Sequence, residues 1–194
     1  MSKNVKIGVL SYQGSVMEHM RALSLLDNVE PLEVKTLSSL QAVDGLILPG
    51  GESTTISKLL SIFDLLEPLK ERIRSGMPVW GTCAGMILLA ETVIGEETHL
   101  GLMHITIRRN AFGRQLQSSK QKAAIPKISP EPFDLVLIRA PWIEAVNNDR
   151  VEILCEVDGH ILAAQEEYML VTAFHPEVTG DLRIHQYFAH MCGN

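Results

Sequence analysis

The chain has 194 residues, of which 46% are hydrophobic and 21% are charged, and its formal net charge is −6. This length and composition are those of a globular protein with a sizeable core, and they argue against disorder. The acidic balance excludes the broad basic surface that would bind nucleic acid or an anionic membrane.

The first half of the chain alternates strand-like and helical segments. Strands are predicted at 5–10, 32–36, 45–48 and 79–80, and helices at 55–63 and 65–74. Another helix is expected to begin at Ser15-Val16-Met17-Glu18, a capping-box pattern. Such alternation predicts a mostly parallel sheet with helices on both of its faces.

The second half is richer in strands, which are predicted at 104–108, 135–139, 151–157, 161–164 and 169–174, before a helix at 181–191. Asp158-Gly159 predicts a hairpin turn, so an antiparallel section should join the parallel sheet. The longest irregular region, 110–133, contains three prolines. We expect a functional or mobile loop there, or else a tolerated surface excursion. No linker divides the sequence, so residues 1–194 are predicted to form one domain.

The three cysteines, Cys83, Cys155 and Cys192, are odd in number and lack CxxC spacing. This pattern predicts reduced thiols in a cytoplasmic protein, not disulfides. No His and Cys residues have zinc-ligand spacing, so no metal site is expected. The first residues include no apolar signal stretch, and no apolar run reaches the ~20 residues that span a bilayer. We expect no contact with a membrane.

One cysteine lies in a motif with chemical meaning, Gly81-x-Cys83-x-Gly85, between a short apolar strand and an apolar helix. This order indicates a nucleophile elbow, the sharp strand–turn–helix that exposes a reactive side chain. A helix N-terminus stabilises the negative charge of a thiolate, and the N–H of Ala84 should face a developing oxyanion. The alternative is a buried structural cysteine beside packing glycines.

A candidate base follows the strand at 169–174, in the segment His175-Pro176-Glu177. Proline biases the residue before it toward extended backbone, and in extended backbone His175 and Glu177 project from the same side. The carboxylate could then fix one imidazole nitrogen and leave the other to serve a sulfur. A cysteine at an elbow together with this His-x-Glu favours nucleophilic acyl chemistry.

A glycine-rich loop, Leu48-Pro49-Gly50-Gly51-Glu52-Ser53-Thr54-Thr55, follows the third strand, where open α/β sheets bind ligands. Gly51 is a candidate second oxyanion donor. The loop lacks a Gly-Lys-Ser/Thr ending, which excludes a Walker phosphate loop, while a plain glycine turn remains an alternative. Arginines after two predicted strands, among them Arg109 and Arg139, could bind a carboxylate or form an exposed basic face.

Together these motifs resemble the class I (triad) glutamine amidotransferases, and among them the glutaminase subunits of pyridoxal 5′-phosphate synthase, the PdxT/SNO family. The similarity runs end to end. Besides the three motifs above, it rests on Gln13-Gly14, Arg109-Asn110-x-Phe112-Gly113-Arg114-Gln115 and Ile138-Arg139-Ala140-Pro141. The resemblance implies a flavodoxin-like α/β three-layer sandwich with a mixed, mostly parallel sheet.

The resemblance also implies roles for individual residues. Cys83 would attack the side-chain amide of L-glutamine, His175 would protonate the leaving ammonia and then activate water, and Glu177 would orient His175. Gly51 and Ala84 would supply the oxyanion hole. The residues implied to hold glutamine are Gly51, Glu52, Ser53, Arg109, Ile138 and Arg139.

The implied partner is a (β/α)8-barrel synthase subunit that uses the ammonia to build pyridoxal 5′-phosphate. Gln13 would help to complete the oxyanion hole when that partner docks, and no cofactor is expected in this chain. Two alternatives stay open. One is a cysteine hydrolase of the same architecture that acts on γ-glutamyl substrates, and the other is a binding module without chemistry.

Overall fold

The computed structural model describes residues 4–109 and 118–193, with side chains omitted at 118–120. The elements of the first half are β1 (Val5–Leu10), α1 (Val16–Ser24), β2 (Val29–Val34), α2 (Leu37–Gln41), β3 (Gly45–Leu48), α3 (Ser53–Ile62), α4 (Leu66–Arg74), β4 (Val79–Thr82) and α5 (Ala84–Leu89). Those of the second half are β5 (Ala90–Val93), β6 (Met103–Arg108), β7 (Ser118–Ile125), β8 (Ser129–Ile138), β9 (Trp142–Val146), β10 (Val151–Val157), β11 (His160–Glu166), β12 (Met169–Thr172), a 3-10 turn (Pro176–Val178) and α6 (Arg183–Gly193).

The main sheet has the strand order β2-β1-β3-β4-β12-β11-β9-β6-β5, and β10 pairs with β11 outside this path. The strands from β2 to β12 are parallel to one another, whereas β11 runs antiparallel to β12, β10 and β9. The predicted α/β fold, with a mixed sheet whose antiparallel section follows the parallel one, is confirmed.

The centre of the sheet is apolar because both of its faces are covered. Every residue of β3, β4 and β12 is buried, as in parallel sheets that lie between two layers of helices. The large side chains Trp80 and Phe174 are fully buried at this centre. The carboxyl ends of β3, β4 and β12 therefore present their following loops from a rigid platform.

The prediction of an irregular region at 110–133 is wrong from residue 118 onward. β7 and β8 form an antiparallel two-stranded sheet, with Ser118 opposite Ile138. Pro130 and Pro132 lie inside β8, which is possible because each strand of a two-stranded sheet keeps one edge free of hydrogen bonds. Residues 110–117 lie outside the described part of the chain.

Other differences are local. Most bounds move by one to three residues, and the short elements α2, β5 and β9 were not predicted. The predicted capping box is wrong: Ser15 is the N-cap of α1, but its side chain makes no capping hydrogen bond. The predicted hairpin at Asp158-Gly159 is confirmed, with φ of 52° and 78° at these residues. Across the described residues, no helix is long and apolar enough to cross a membrane.

Candidate active site

Cys83 occupies a sharp turn between β4 and α5, with φ 49° and ψ −99°. Positive φ is costly for a residue with a side chain, so the surrounding structure must hold this conformation. The glycines beside it allow the turn. A Cβ at Gly85 would lie 2.0 Å from the carbonyl oxygen of Leu48, and one at Gly81 would lie 2.5 Å from the backbone of Gly85. The geometry is that of the predicted nucleophile elbow.

The elbow is fixed to the centre of the sheet and leaves little of the sulfur exposed. The backbone N–H of Cys83 donates to the carbonyl of Thr172 at 2.8 Å, and the residue is 8% exposed. Ala84, which is buried, is the first residue of α5. Since the first N–H groups of a helix have no partner within it, this backbone can serve a negative charge formed beside the sulfur.

His175 meets Glu177 directly after β12. The distance between His175 Nδ1 and Glu177 Oε1 is 2.7 Å, and both residues are buried. The backbone does not stay extended as expected, because it enters the 3-10 turn at Pro176. The backbone N–H of His175 donates to the carbonyl of Val136 at 2.9 Å, so β8 braces this turn.

The charges of this cluster favour an ionised acid and a protonated imidazole. Burial lowers the pKa of His175, but hydrogen bonds to Cys83 and Glu177 and their negative charges outweigh it and raise the pKa to about 10. Burial likewise raises the pKa of Glu177, but His175, His19 and Ser15 outweigh it and lower the pKa to about 2. A positively charged ring beside a sulfur is the setting in which cysteine nucleophiles are activated.

Two neighbours of Glu177 were not selected from the sequence. Ser15 Oγ donates to Glu177 Oε1 at 2.7 Å, and His19 Nε2 lies 3.6 Å from Glu177 Oε2. Ser15 was interpreted only as a helix cap. Its spacing of four residues from His19 at the start of a helix puts the two on one face, which is the signal that could have paired them.

The glycine-rich loop lies against the same histidine. A Cβ at Gly50 would lie 2.5 Å from His175 Cε1, and one at Gly51 would lie 2.5 Å from Gln13 Oε1. Gln13 Oε1 accepts a hydrogen bond from the backbone N–H of Glu52 at 2.8 Å. The loop, Gln13 and His175 are therefore adjacent, as the resemblance implies.

Of the residues implied to hold glutamine, several are adjacent in the structure. Glu52 Oε1 accepts from Arg109 Nη2 at 2.9 Å, and Arg109 also forms an ion pair with Glu96. Ser53 is 1% exposed, and its Oγ has no hydrogen-bond partner among the described residues. A buried hydroxyl in that state is available to a ligand.

The remaining residues implied to hold glutamine, Ile138 and Arg139, lie at the end of β8. Ile138 ends β8 and is 43% exposed, and Arg139 follows it with φ 47°. Ile138 therefore ends the strand whose Val136 carbonyl accepts from the N–H of His175, and Arg139 is the residue after that strand. Asn110, Phe112, Gly113, Arg114 and Gln115 lie outside the described residues.

The other cysteines have no such surroundings. Burial raises the pKa of Cys155 to about 11, and burial together with the charge of Asp44 raises the pKa of Cys192. Both thiols are therefore kept neutral. Within 4–109 and 118–193, no group of three or more His, Cys, Asp or Glu residues could hold a metal ion.

Comparison with known proteins identifies relatives over nearly the whole chain. The sequence profile of the SNO glutamine amidotransferase family matches residues 9–194. The protein named pyridoxal 5′-phosphate synthase subunit PdxT from Ruminiclostridium cellulolyticum is 50% identical over 187 residues, which cover 96% of this chain and 98% of that protein. Its counterpart of the same name from Clostridium botulinum is 51% identical and covers 95% of each chain.

A solved structure is similar over the same extent. It is described as the crystal structure of glutamine amidotransferase, with a TM-score of 0.90 and 36% sequence identity. The match covers 97% of this chain and 99% of that one.

Proposed function

Because the chain belongs to the SNO glutamine amidotransferase family, we propose that it is a single glutaminase domain that hydrolyses L-glutamine to L-glutamate and ammonia. Relatives that are about half identical over nearly their full length are named subunits of pyridoxal 5′-phosphate synthase. The ammonia would therefore serve a synthase subunit that makes pyridoxal 5′-phosphate, within the cytoplasm.

The observation that carries the proposal is that the hydrogen-bonded pair His175–Glu177, at a distant strand end, interacts with Cys83 at the elbow. The thiolate of Cys83 attacks the side-chain amide carbon of glutamine and forms a tetrahedral oxyanion. His175 gives its proton to the leaving nitrogen, so ammonia departs and a thioester remains. His175 then takes a proton from water, whose oxygen attacks the thioester and releases glutamate.

Glu177 acts through His175. Its carboxylate holds Nδ1 and stabilises the imidazolium, so that Nε2 is directed to the sulfur and to the substrate. The N–H groups of Gly51 and Ala84 stabilise the oxyanion. Such donors contribute most when they are fixed before the charge forms, and the tight packing around Gly50, Gly51 and Gly85 supports this requirement.

The substrate would lie between the glycine-rich loop and the end of β8. Ser53 offers a buried hydroxyl without a partner, and Glu52 offers a carboxylate that can pair with the α-ammonium group of glutamine. Arg109 or Arg139 would receive the α-carboxylate, and Ile138 would contact the aliphatic part of the substrate.

The proposed partner is a (β/α)8-barrel synthase subunit. Gln13 is exposed, and its side-chain oxygen accepts a hydrogen bond from the backbone N–H of Glu52, next to Gly51. A contact made at Gln13 can therefore alter the glycine-rich loop. Docking would then raise the turnover of a glutaminase that is weakly active alone.

The test measures ammonia from L-glutamine with the full chain alone and with the barrel subunit, while pyridoxal 5′-phosphate is followed by absorbance. We expect glutamine hydrolysis that rises on docking, and product only in the presence of both chains. γ-Glutamyl dipeptides are tested in parallel. Hydrolysis of the dipeptides in preference to glutamine would replace the proposal with a γ-glutamyl hydrolase, and no turnover of either would reject an enzymatic function.

A further inference from the structure

The first turn of α1 brings two side chains to the carboxylate of Glu177. Ser15 Oγ donates to Oε1 at 2.7 Å, and this same oxygen bonds His175 Nδ1 at 2.7 Å. His19 Nε2 lies 3.6 Å from the other oxygen, Oε2, which has no hydrogen-bond partner among the described residues. The side chains of Glu177 and His19 are fully buried, so water does not compete for these positions.

The negative charge of Glu177 selects one tautomer of His19. His19 Nε2 also lies 3.3 Å from Thr82 Oγ1, and His19 Nδ1 lies 3.0 Å from His185 Nε2. An unprotonated Nε2 would turn a lone pair toward a carboxylate. The favourable arrangement therefore has the proton on His19 Nε2, directed to Glu177 and Thr82, with His185 donating to His19 Nδ1.

The titratable groups around this carboxylate come from three elements. α1 contributes His19 and, farther away, Glu18, while the turn after β12 contributes His175, and α6 contributes His185. Burial lowers the pKa of His19 to about 4, although the charge of Glu177 opposes this shift. His19 is thus a neutral donor that leaves the full negative charge of Glu177 to His175.

Ser15 also connects the carboxylate of Glu177 to the glycine-rich loop. Its backbone N–H donates to the carbonyl of Gly50 at 2.9 Å, while its hydroxyl holds Glu177. Gly50 in turn packs on the ring of His175. Ser15 therefore contacts both Glu177 and the glycine-rich loop that packs on the imidazole of His175.

We propose that Ser15 and His19 are positioning residues for the reaction: Ser15 holds one oxygen of Glu177, His19 lies against the other, and together they keep His175 directed at Cys83. The inference rests on the proposed function for its chemistry. The terminal torsion of a glutamate is broad, so a carboxylate held only by His175 could rotate with it. Donors from α1, an element separate from the turn that carries the pair, remove this freedom.

The main test compares Ser15→Ala with Ser24→Ala in the full chain. Ser24 is also on α1, and its hydroxyl donates to the carbonyl of Arg21, away from the site. We expect Ser15→Ala to lower kcat for glutamine about tenfold with KM within about twofold, as loss of one charge-assisted hydrogen bond from an orienting group would do. Ser15→Thr should restore kcat, and Ser24→Ala should match the wild type. A kcat for Ser15→Ala equal to that of Ser24→Ala overturns the proposal.

A second pair tests His19. Glutamine can keep an N–H near the position of Nε2, whereas leucine cannot, so His19→Gln should retain more kcat than His19→Leu. Equal kcat values for two folded variants contradict the assignment of a donor at this position. If the leucine variant does not fold, the Ser15 comparison decides by itself.

The rate of Cys83 alkylation by iodoacetamide separates this inference from the proposed function, since it needs no glutamine. Because the activation of Cys83 requires the ring of His175 to be held beside it, alkylation should slow in Ser15→Ala and remain unchanged in Ser24→Ala. Unchanged alkylation in Ser15→Ala overturns the positioning role even if glutamine is hydrolysed. Slower alkylation in a protein without glutaminase activity supports the positioning role and rejects the proposed reaction.

Discussion

Gly50 packs directly on the imidazole of His175, and a Cβ at Gly50 would lie 2.5 Å from Cε1. Gly50→Ala must therefore displace either the ring of His175 or the glycine-rich loop. A displacement of about 1 Å in such a site can cost on the order of a hundredfold in rate, so we expect kcat for glutamine to fall by about that factor. The measurement is steady-state ammonia release, with circular dichroism to establish that the variant is folded.

The matched control for Gly50→Ala is Gly193→Ala. At Gly193 the added Cβ would meet Val5 Cγ2 at 3.4 Å, an ordinary contact near the end of α6. This variant should keep the wild-type kcat. A folded Gly50→Ala enzyme with wild-type turnover would show that the ring does not need its present place for catalysis.

The assignment of the nucleophile predicts different results for the three cysteines. Cys83→Ala should abolish ammonia release, while Cys155→Ala and Cys192→Ala should keep turnover within about twofold of the wild type. Burial raises the pKa values of the latter two thiols, so neither is a reactive thiolate. Ammonia release and thermal unfolding are measured on each variant. Activity in Cys83→Ala, or its loss in either of the other two while folded, would mean that a different sulfur reacts.

The backbone of Cys83 predicts an unusual order of stabilities. At φ 49° and ψ −99° a side chain is strained, whereas glycine is not. Relief of this strain should exceed the entropic cost of glycine, so Cys83→Gly should be more stable than Cys83→Ala by about 1 kcal/mol. Urea unfolding measures the difference.

The reference substitution for that comparison is Ala84→Gly, one residue later. Ala84 begins α5 in helical conformation, so glycine there should reduce stability by about 0.5–1 kcal/mol. If Cys83→Gly is instead less stable than Cys83→Ala, the strain at the elbow is too small to measure.

The chemistry of the site was predictable from local patterns, because each part is encoded in a few consecutive residues. The elbow needs Gly81 and Gly85 around Cys83, and the strand that precedes His175 is short, mostly apolar and fully buried. Both features follow from local sterics and from the hydrophobic pattern, which can be read from the sequence.

The missed parts depend on contacts between distant segments. The local sequence predicts that Ser15 caps a helix, but its hydroxyl donates a hydrogen bond to Glu177, 162 residues away. Likewise, Pro130 and Pro132 argue against a strand unless they lie on an edge that forms no hydrogen bonds with another strand. Only the pairing of β8 with β7, which the local sequence does not reveal, leaves β8 such an edge. Local sequence preferences do not reveal a tertiary contact that overrides them.

The arginine that binds the substrate carboxylate can be distinguished by charge. Arg109 already pairs with Glu52 and Glu96, which offset its attraction for another anion, whereas Arg139 is exposed on the loop after β8. We therefore expect Arg139→Ala to raise KM for glutamine about tenfold with little change in kcat.

Initial rates over a range of glutamine concentrations test this choice. Arg150→Ala serves as the control, because this exposed arginine pairs with Glu167 and is not implied in binding. An increase in KM for Arg109→Ala combined with an unchanged KM for Arg139→Ala would assign the carboxylate to Arg109.

The buried histidines of α1 and α6 predict how stability depends on pH. Burial lowers the pKa of His185 from its usual 6.5 to about 3. Between these values the unfolded chain binds a proton that the folded protein does not, so stability falls as the pH decreases below 6.5. At pH 5 this one group lowers the free energy of unfolding by about 2 kcal/mol relative to neutral pH.

His185→Gln keeps a donor toward His19 but does not titrate, so the stability of this variant should decrease less steeply between pH 6.5 and 5. Urea unfolding across this range measures both slopes. Equal slopes for the wild type and His185→Gln would mean that His185 is already protonated in the folded protein, so that a charged and not a neutral ring donates to His19.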